Sequence, residues 1–164
     1  MNSKRRYAEG TDVGVEKSQG EIKALLRKAG AGAIGVLEAN AYAQVVFEMQ
    51  DRRIIIRMPL PPMDADEFVF VTKKTPTTTY KAKRAESEVM KVWEQACRRS
   101  WRALLLVIKA KLEAVASGIV TFEDEFLAYT MKPDGETIGD WARRALPEAL
   151  EGRPMPPLLG GPPS

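Results

Sequence analysis

ESEVMKVWEQACRRSWRALLLVIKAKLEAVASG, residues 86–118, is the stretch that decides the fold. Met90, Trp93, Cys97, Trp101, Leu104, Ile108, Leu112 and Val115 recur at steps of three and four. That spacing predicts one long helix with an apolar stripe. A second stripe runs beside it. At about 100° per residue, Lys91, Arg98, Arg102 and Lys109 fall within roughly 40° of one another and span roughly 27 Å of axis. One face suits a core and the neighbouring face suits an anion.

Working upstream, residues 33–38, 43–49 and 53–58 read as strands. Val45, Phe47 and Met49 alternate with Gln44, Val46 and Glu48, and Ile54, Ile56 and Met58 alternate with Arg53, Ile55 and Arg57. Gln50-Asp51-Arg52 makes a tight connection, so the last two strands form a hairpin with one greasy face. Pro59, Pro61 and Pro62 end it. Before the strands, Ile22, Leu25 and Leu26 predict a first helix. Ser18 and Glu21 are expected to form its capping box and Gly30 to stop it. The expected fold is α+β: a three- or four-stranded antiparallel sheet packed on the long helix.

Residues 63–85 lack apolar periodicity apart from a short edge strand at 68–71. The run Lys73-Lys74-Thr75-Pro76-Thr77-Thr78-Thr79-Tyr80-Lys81-Ala82-Lys83-Arg84 reads as a mobile basic loop, 72–85. Downstream of the long helix, a small helical piece is expected. Thr121 caps a short helix with Phe122 and Phe126, Lys132-Pro133-Asp134-Gly135 makes a turn, and Thr137 and Asp140 cap a helix that Pro147 bends or restarts. Residues 1–14 form a basic arm, 15–151 one domain, and 152–164 a flexible tail rich in proline and glycine.

Composition narrows the chemistry. The chain of 164 residues has no histidine, which removes the commonest general base and metal ligand. The single cysteine, Cys97, sits on the apolar stripe and suits a core role and a reducing setting. Two acidic clusters, Asp64, Asp66 and Glu67, and Glu123, Asp124 and Glu125, are consecutive or nearly so. Side chains so placed point apart, and a metal needs ligands that converge. The order helix, three strands, helix also occurs in metal-dependent nucleases, but here the third strand reads Arg53-Ile-Ile-Ile-Arg57, without a carboxylate. The expectation is a protein that is not an enzyme and has neither metal nor cofactor. No apolar run is long enough for a membrane span and no signal peptide is visible, so a cytoplasmic protein is expected.

Charge is uneven. Residues 72–111 hold eleven Lys and Arg against three Glu, a net of +8 in a chain of net +3, so the remainder sums to −5. A basic band on a mildly acidic body points to a polyanion. Nucleic acid, DNA before RNA, is the leading partner, held by phosphate contacts from Lys91, Arg98, Arg102 and Lys109 on the helix. Lys73, Lys74, Lys81, Lys83 and Arg84 on the loop would assist. Tyr80 either stacks on a base or anchors the loop. Arg53 and Arg57 either extend the path across the sheet or pair with Glu48 and other acids. The rival is a protein–protein module that binds or inhibits a host enzyme or defence protein, or pairs with a twin chain, through the proline-rich tail or the exposed side of the Trp and Leu stripe, to which Leu105 and Leu106 add apolar surface on the basic flank.

The runs Arg6-Tyr-Ala-Glu-Gly-Thr11, Val15-Glu-Lys-Ser18 and Trp101-Arg-Ala-Leu-Leu-Leu-Val-Ile-Lys-Ala-Lys-Leu-Glu113 resemble an uncharacterised family encoded in phage and prophage genomes. That resemblance implies a phage protein in the host cytoplasm and says nothing about catalytic residues. The order helix, three strands, long basic helix is also similar to the core of single-strand annealing proteins, which grip DNA between a hairpin and a helix. This implies a role on single strands in replication or recombination and carries no site residue with it.

Overall fold

Helix α3, Glu86–Ala116, is the long element that the spacing predicts. The computed structural model describes residues 14–159 of the chain. The helix ends on Gly118, whose φ of 72° is costly for any residue with a Cβ. There the N–H of Ile119 bonds back to the Ala114 carbonyl and that of Gly118 to Val115, each at 3.0 Å. Glu86 and Glu88 lie in the first turn, where carboxylates suit the helix dipole.

Strands β1, Ile34–Glu38, β2, Tyr42–Met49, and β3, Arg52–Pro59, form one antiparallel sheet in sequence order. Gln50 and Asp51 both have positive φ, as a two-residue hairpin turn requires. Val45 faces Ile56, Phe47 faces Ile54 and Val36 faces Val45 across the ladders. That register puts Ala43, Val45, Phe47, Ile54 and Ile56 on one face, and all five are buried.

Helix α1, Val15–Lys28, and α3 both deliver side chains to that face. Ile22, Leu26, Cys97, Trp101, Leu104 and Ile108 join the strand residues in one core. Of the expected apolar stripe only Met90, in the first turns of α3, is exposed. The Trp101 indole N–H donates to the Glu38 carboxylate at 2.7 Å, and that of Trp93 to the Pro61 carbonyl at 2.8 Å. Burial pushes the Cys97 thiol up, with Glu38 and Glu94 adding to it, so the thiolate is disfavoured.

Two expectations change. The capping box at Ser18 and Glu21 does not form, because α1 starts earlier, with Gly14 as N-cap. Ser18 lies one turn before Ile22 and two before Leu26, so it faces the core, and its hydroxyl has no hydrogen-bond partner among the described residues. Residues 63–85 are not irregular. They hold a short helix α2, Asp66–Val69, and strands β4, Phe70–Lys74, and β5, Thr79–Lys83, paired as a separate antiparallel hairpin.

The C-terminal piece follows the sequence reading. Thr121 accepts from the Asp124 N–H at the start of α4, Phe122–Phe126, and Thr137 from the Asp140 N–H at the start of α5, Ile138–Leu150. Phe126 meets Phe47 edge-on at 5.8 Å between ring centres, tying α4 to the sheet core. Thr130 bridges to Ile54 on the β3 edge. Helix α5 runs on through Pro147, and residues 152–159 are exposed with no helix or strand. The basic arm, apart from Gly14, and residues 160–164 lie outside the described residues.

A Cβ on Gly139 would meet the Ala128 carbonyl oxygen at 2.7 Å, so α5 packs this closely only because residue 139 is glycine. Gly139→Ala is therefore expected to destabilise the fold by about 1–3 kcal/mol, measured by urea denaturation. A stability unchanged within error would contradict the close contact.

Candidate nucleic-acid interface

The four cations of the α3 stripe do share a flank, but the flank is not open. Helix α1 lies along it. Arg102 is paired with Glu21 on α1 at 3.1 Å. Between the two helices runs a groove of about 290 Å³, lined by Leu25, Leu105 and Leu106 and rimmed by Lys28, Arg102 and Lys109. Arg98 is turned to its own helix, donating to the Gln95 side-chain oxygen at 2.9 and 3.1 Å with Glu94 at 4.0 Å. Both arginine side chains are about 30 % exposed. Only Lys91 and Lys109 are exposed and without an ion partner among the described residues. The expected rod of four free cations is thus two free lysines with two engaged arginines between them. Leu105 is 2 % exposed, so the apolar flank expected for a protein partner is largely taken by α1.

The outer face of the sheet gives no cationic path either. Arg53 stands opposite Glu48 in the ladder and donates two hydrogen bonds to its carboxylate, at 2.7 and 3.0 Å. Arg57 stands opposite Gln44 and donates to its side-chain oxygen at 3.2 Å. Ile55 between them is buried. Arg57 also helps hold the Asp140 carboxyl on α5 below its ordinary range, after larger contributions from Thr137 and Arg143. Of the two readings, the structure has the paired one for Arg53; Arg57 is held by the Gln44 amide and has no ion partner among the described residues.

The hairpin differs from both. Residues 70–83 contain Lys73, Lys74, Lys81 and Lys83 and no acid. The ladder sets Thr72, Lys74, Thr79, Lys81 and Lys83 on one face and Lys73 and Tyr80 on the other. All seven are exposed. Lys73, Lys74 and Lys83 have no ion partner among the described residues, and Lys81 has Asp66 at 3.9 Å across open solvent. At the tip Thr75 closes the turn, its hydroxyl donating to the Thr78 carbonyl at 3.0 Å and accepting from the Thr78 N–H at 3.1 Å.

Arg84 is not a free cation. One of its terminal nitrogens lies 2.7–2.8 Å from the carbonyls of Glu67, Phe68 and Phe70, which lie in α2 and the start of β4. A lone two-stranded ribbon is marginal in water. Arg84 fastens this one at its base, beside buried Phe68 and half-buried Phe70, Val71 and Ala82. Sequence reasoning counted Arg84 among the ligands because a guanidinium bound to backbone carbonyls has no sequence signature. It also missed Lys28 and Glu21, which meet the α3 flank only through tertiary packing.

The acidic run at 123–125 does splay. Glu123 goes to Arg52 at 2.6 Å, Asp124 to the Thr121 hydroxyl at 2.8 Å and Glu125 to Lys111 at 2.7 Å. No group of three or more candidate metal ligands occurs among the described residues. No described helix is long and apolar enough to cross a membrane. Lys132, its side chain 6 % exposed, is held by Asp134 and Glu136 at 2.8 Å each, and Glu136 also takes Arg144. Lys132 holds both carboxyls below their ordinary range, Arg144 adding to this at Glu136, and the two carboxylates push the Lys132 ammonium up. Comparison with protein-family models, curated proteins and solved structures gives no match.

Two outcomes follow, one for the hairpin's anchor and one for the ion cluster of the C-terminal piece. Arg84→Ala is expected to speed amide hydrogen exchange in residues 70–83 while leaving the three-stranded sheet protected; uniform protection would contradict the anchor role. At Glu136 the folded carboxyl titrates below the unfolded value of about 4.3, so its contribution is present above that pH and is lost as pH falls through the folded value. Glu136→Gln should lower the melting temperature at pH 7, and the gap from the parent protein should close on acidification. A gap that stays constant down to about pH 2 would exclude the charge origin.

Proposed function

We propose that this chain is a non-catalytic nucleic-acid-binding protein whose contact element is the β4–β5 hairpin, with exposed Lys91 and Lys109 as outlying phosphate contacts. The observation that carries the reading is the concentration of four exposed lysines on a ribbon without an acid. Lys74, Lys81 and Lys83 are neighbours on one face, directly along the strand or diagonally across the ladder. Like charges so placed repel and destabilise the pairing. A polyanion relieves that repulsion, and the release of its counterions adds a favourable term. Several cations elsewhere are tied to acids, among them Arg52, Arg53, Arg102, Lys111 and Lys132. A phage-encoded protein in the host cytoplasm is the setting that the family resemblance supports.

Full-length protein should bind labelled nucleic acid with an affinity that falls steeply with salt, at a slope of roughly −4 to −5 in log K against log salt for six phosphate contacts, four on the hairpin and two on the helix. Replacing Lys73, Lys74, Lys81 and Lys83 by Gln should lower the affinity about a hundredfold at low salt and flatten the slope, measured by fluorescence anisotropy. Arg98→Gln should leave binding nearly unchanged. Unchanged binding in the four-lysine variant would overturn the assignment.

A further inference from the structure

We infer that the β4–β5 hairpin inserts into the major groove of B-form DNA, so that duplex DNA is the polyanion this chain takes. The inference rests on the nucleic-acid reading above and narrows it to one form of ligand. Its basis is that the outer part of the ribbon is uncovered on both faces. From Thr72 to Lys74 and from Pro76 to Lys81 every residue is exposed, and lysines project from both faces.

A surface that follows a single strand combines a cationic groove with several aromatic platforms, because each unstacked base needs a ring. This element is a projecting ribbon, and Tyr80 is the one aromatic residue on its exposed part. Lysines on opposite faces cannot both reach one strand lying along either face. The two walls of a groove supply phosphates to both.

The dimensions agree. The major groove of B-DNA, about 12 Å wide and 8.5 Å deep, admits a two-stranded ribbon, and the minor groove, about 6 Å wide, does not. The outermost pairs are Thr72 with Lys81, Lys73 with Tyr80 and Lys74 with Thr79. Three pairs at about 3.3 Å per residue reach about 10 Å, enough to bring the turn to the groove floor. The turn carries suitable groups: Thr77, Thr78 and Thr79 keep their hydroxyls free of hydrogen bonds among the described residues. A threonine offers a donor, an acceptor and a methyl, which match base edges and the thymine methyl. The A-form major groove of duplex RNA is too narrow for side chains to read.

The test uses full-length protein and four labelled probes of one sequence: duplex DNA, each separate DNA strand, and duplex RNA. Duplex DNA should bind at least about tenfold tighter than the other three at matched salt. Methyl green, a major-groove ligand, should displace the protein, and netropsin, a minor-groove ligand, should not. Binding to single strands or duplex RNA as tight as to duplex DNA would overturn groove insertion and leave the nucleic-acid reading intact. Displacement by netropsin alone would also overturn it. Binding to none of the probes would overturn both.

Discussion

Trp101 is the side chain on which the rest of the structure depends. It lies near the middle of a helix of 31 residues, is fully buried, and its indole N–H donates to Glu38 on the first strand. A buried indole that lacked this acceptor would cost about 1–3 kcal/mol for the unmet donor. The bond therefore fixes the rotation of α3 about its own axis as well as its position. Once Trp101 points at the sheet, Cys97, Leu104 and Ile108 must point there too, because they follow at helical spacing. The basic flank must then lie to one side, next to α1.

That rotation decides which charges are free. With α3 fixed, α1 packs along the flank and buries Leu105, and Glu21 comes within reach of Arg102. Such partly exposed pairs contribute little to stability, of order 0–1 kcal/mol. Their consequence is different: they remove positive potential from the flank. Arg53 loses its own in the same way to Glu48 on the outer sheet face. The lysines of the β4–β5 hairpin keep theirs because the ribbon stands away from the acidic body and contains no carboxylate. One arginine holds that arrangement at the base, exchanging its own availability for the position of four lysines.

Much of the fold was legible in the sequence, and the omissions have physical causes. Helix α3 and strands β2 and β3 each bury one face, so their apolar residues repeat at 3.6 and 2. The ends of α1 and α3 were marked by Gly30 and Gly118, both at positive φ. The β4–β5 hairpin was hidden because outward of Val71 and Ala82 neither face is covered, and a strand solvated on both sides has no alternation to find. Its threonines, which favour strands, and Pro76 at the turn were the available signals. Ser18 misled because a serine three residues before a glutamate fits a cap as well as a buried turn. The neutralised stripe could not be read at all: periodicity places four cations on one flank, but only packing shows that another helix lies against it.

The positive charge available to a partner is concentrated on the hairpin, while on the cationic stripe of the long helix Arg98 and Arg102 are engaged and only Lys91 and Lys109 are free of an ion partner among the described residues. Chemical-shift mapping of labelled protein against added DNA tests it most directly. The account predicts that the largest backbone shifts fall within residues 72–83, with the side-chain Nε signals of Arg98 and Arg102 unmoved. Shifts centred on residues 98–109, with the hairpin silent, would contradict it.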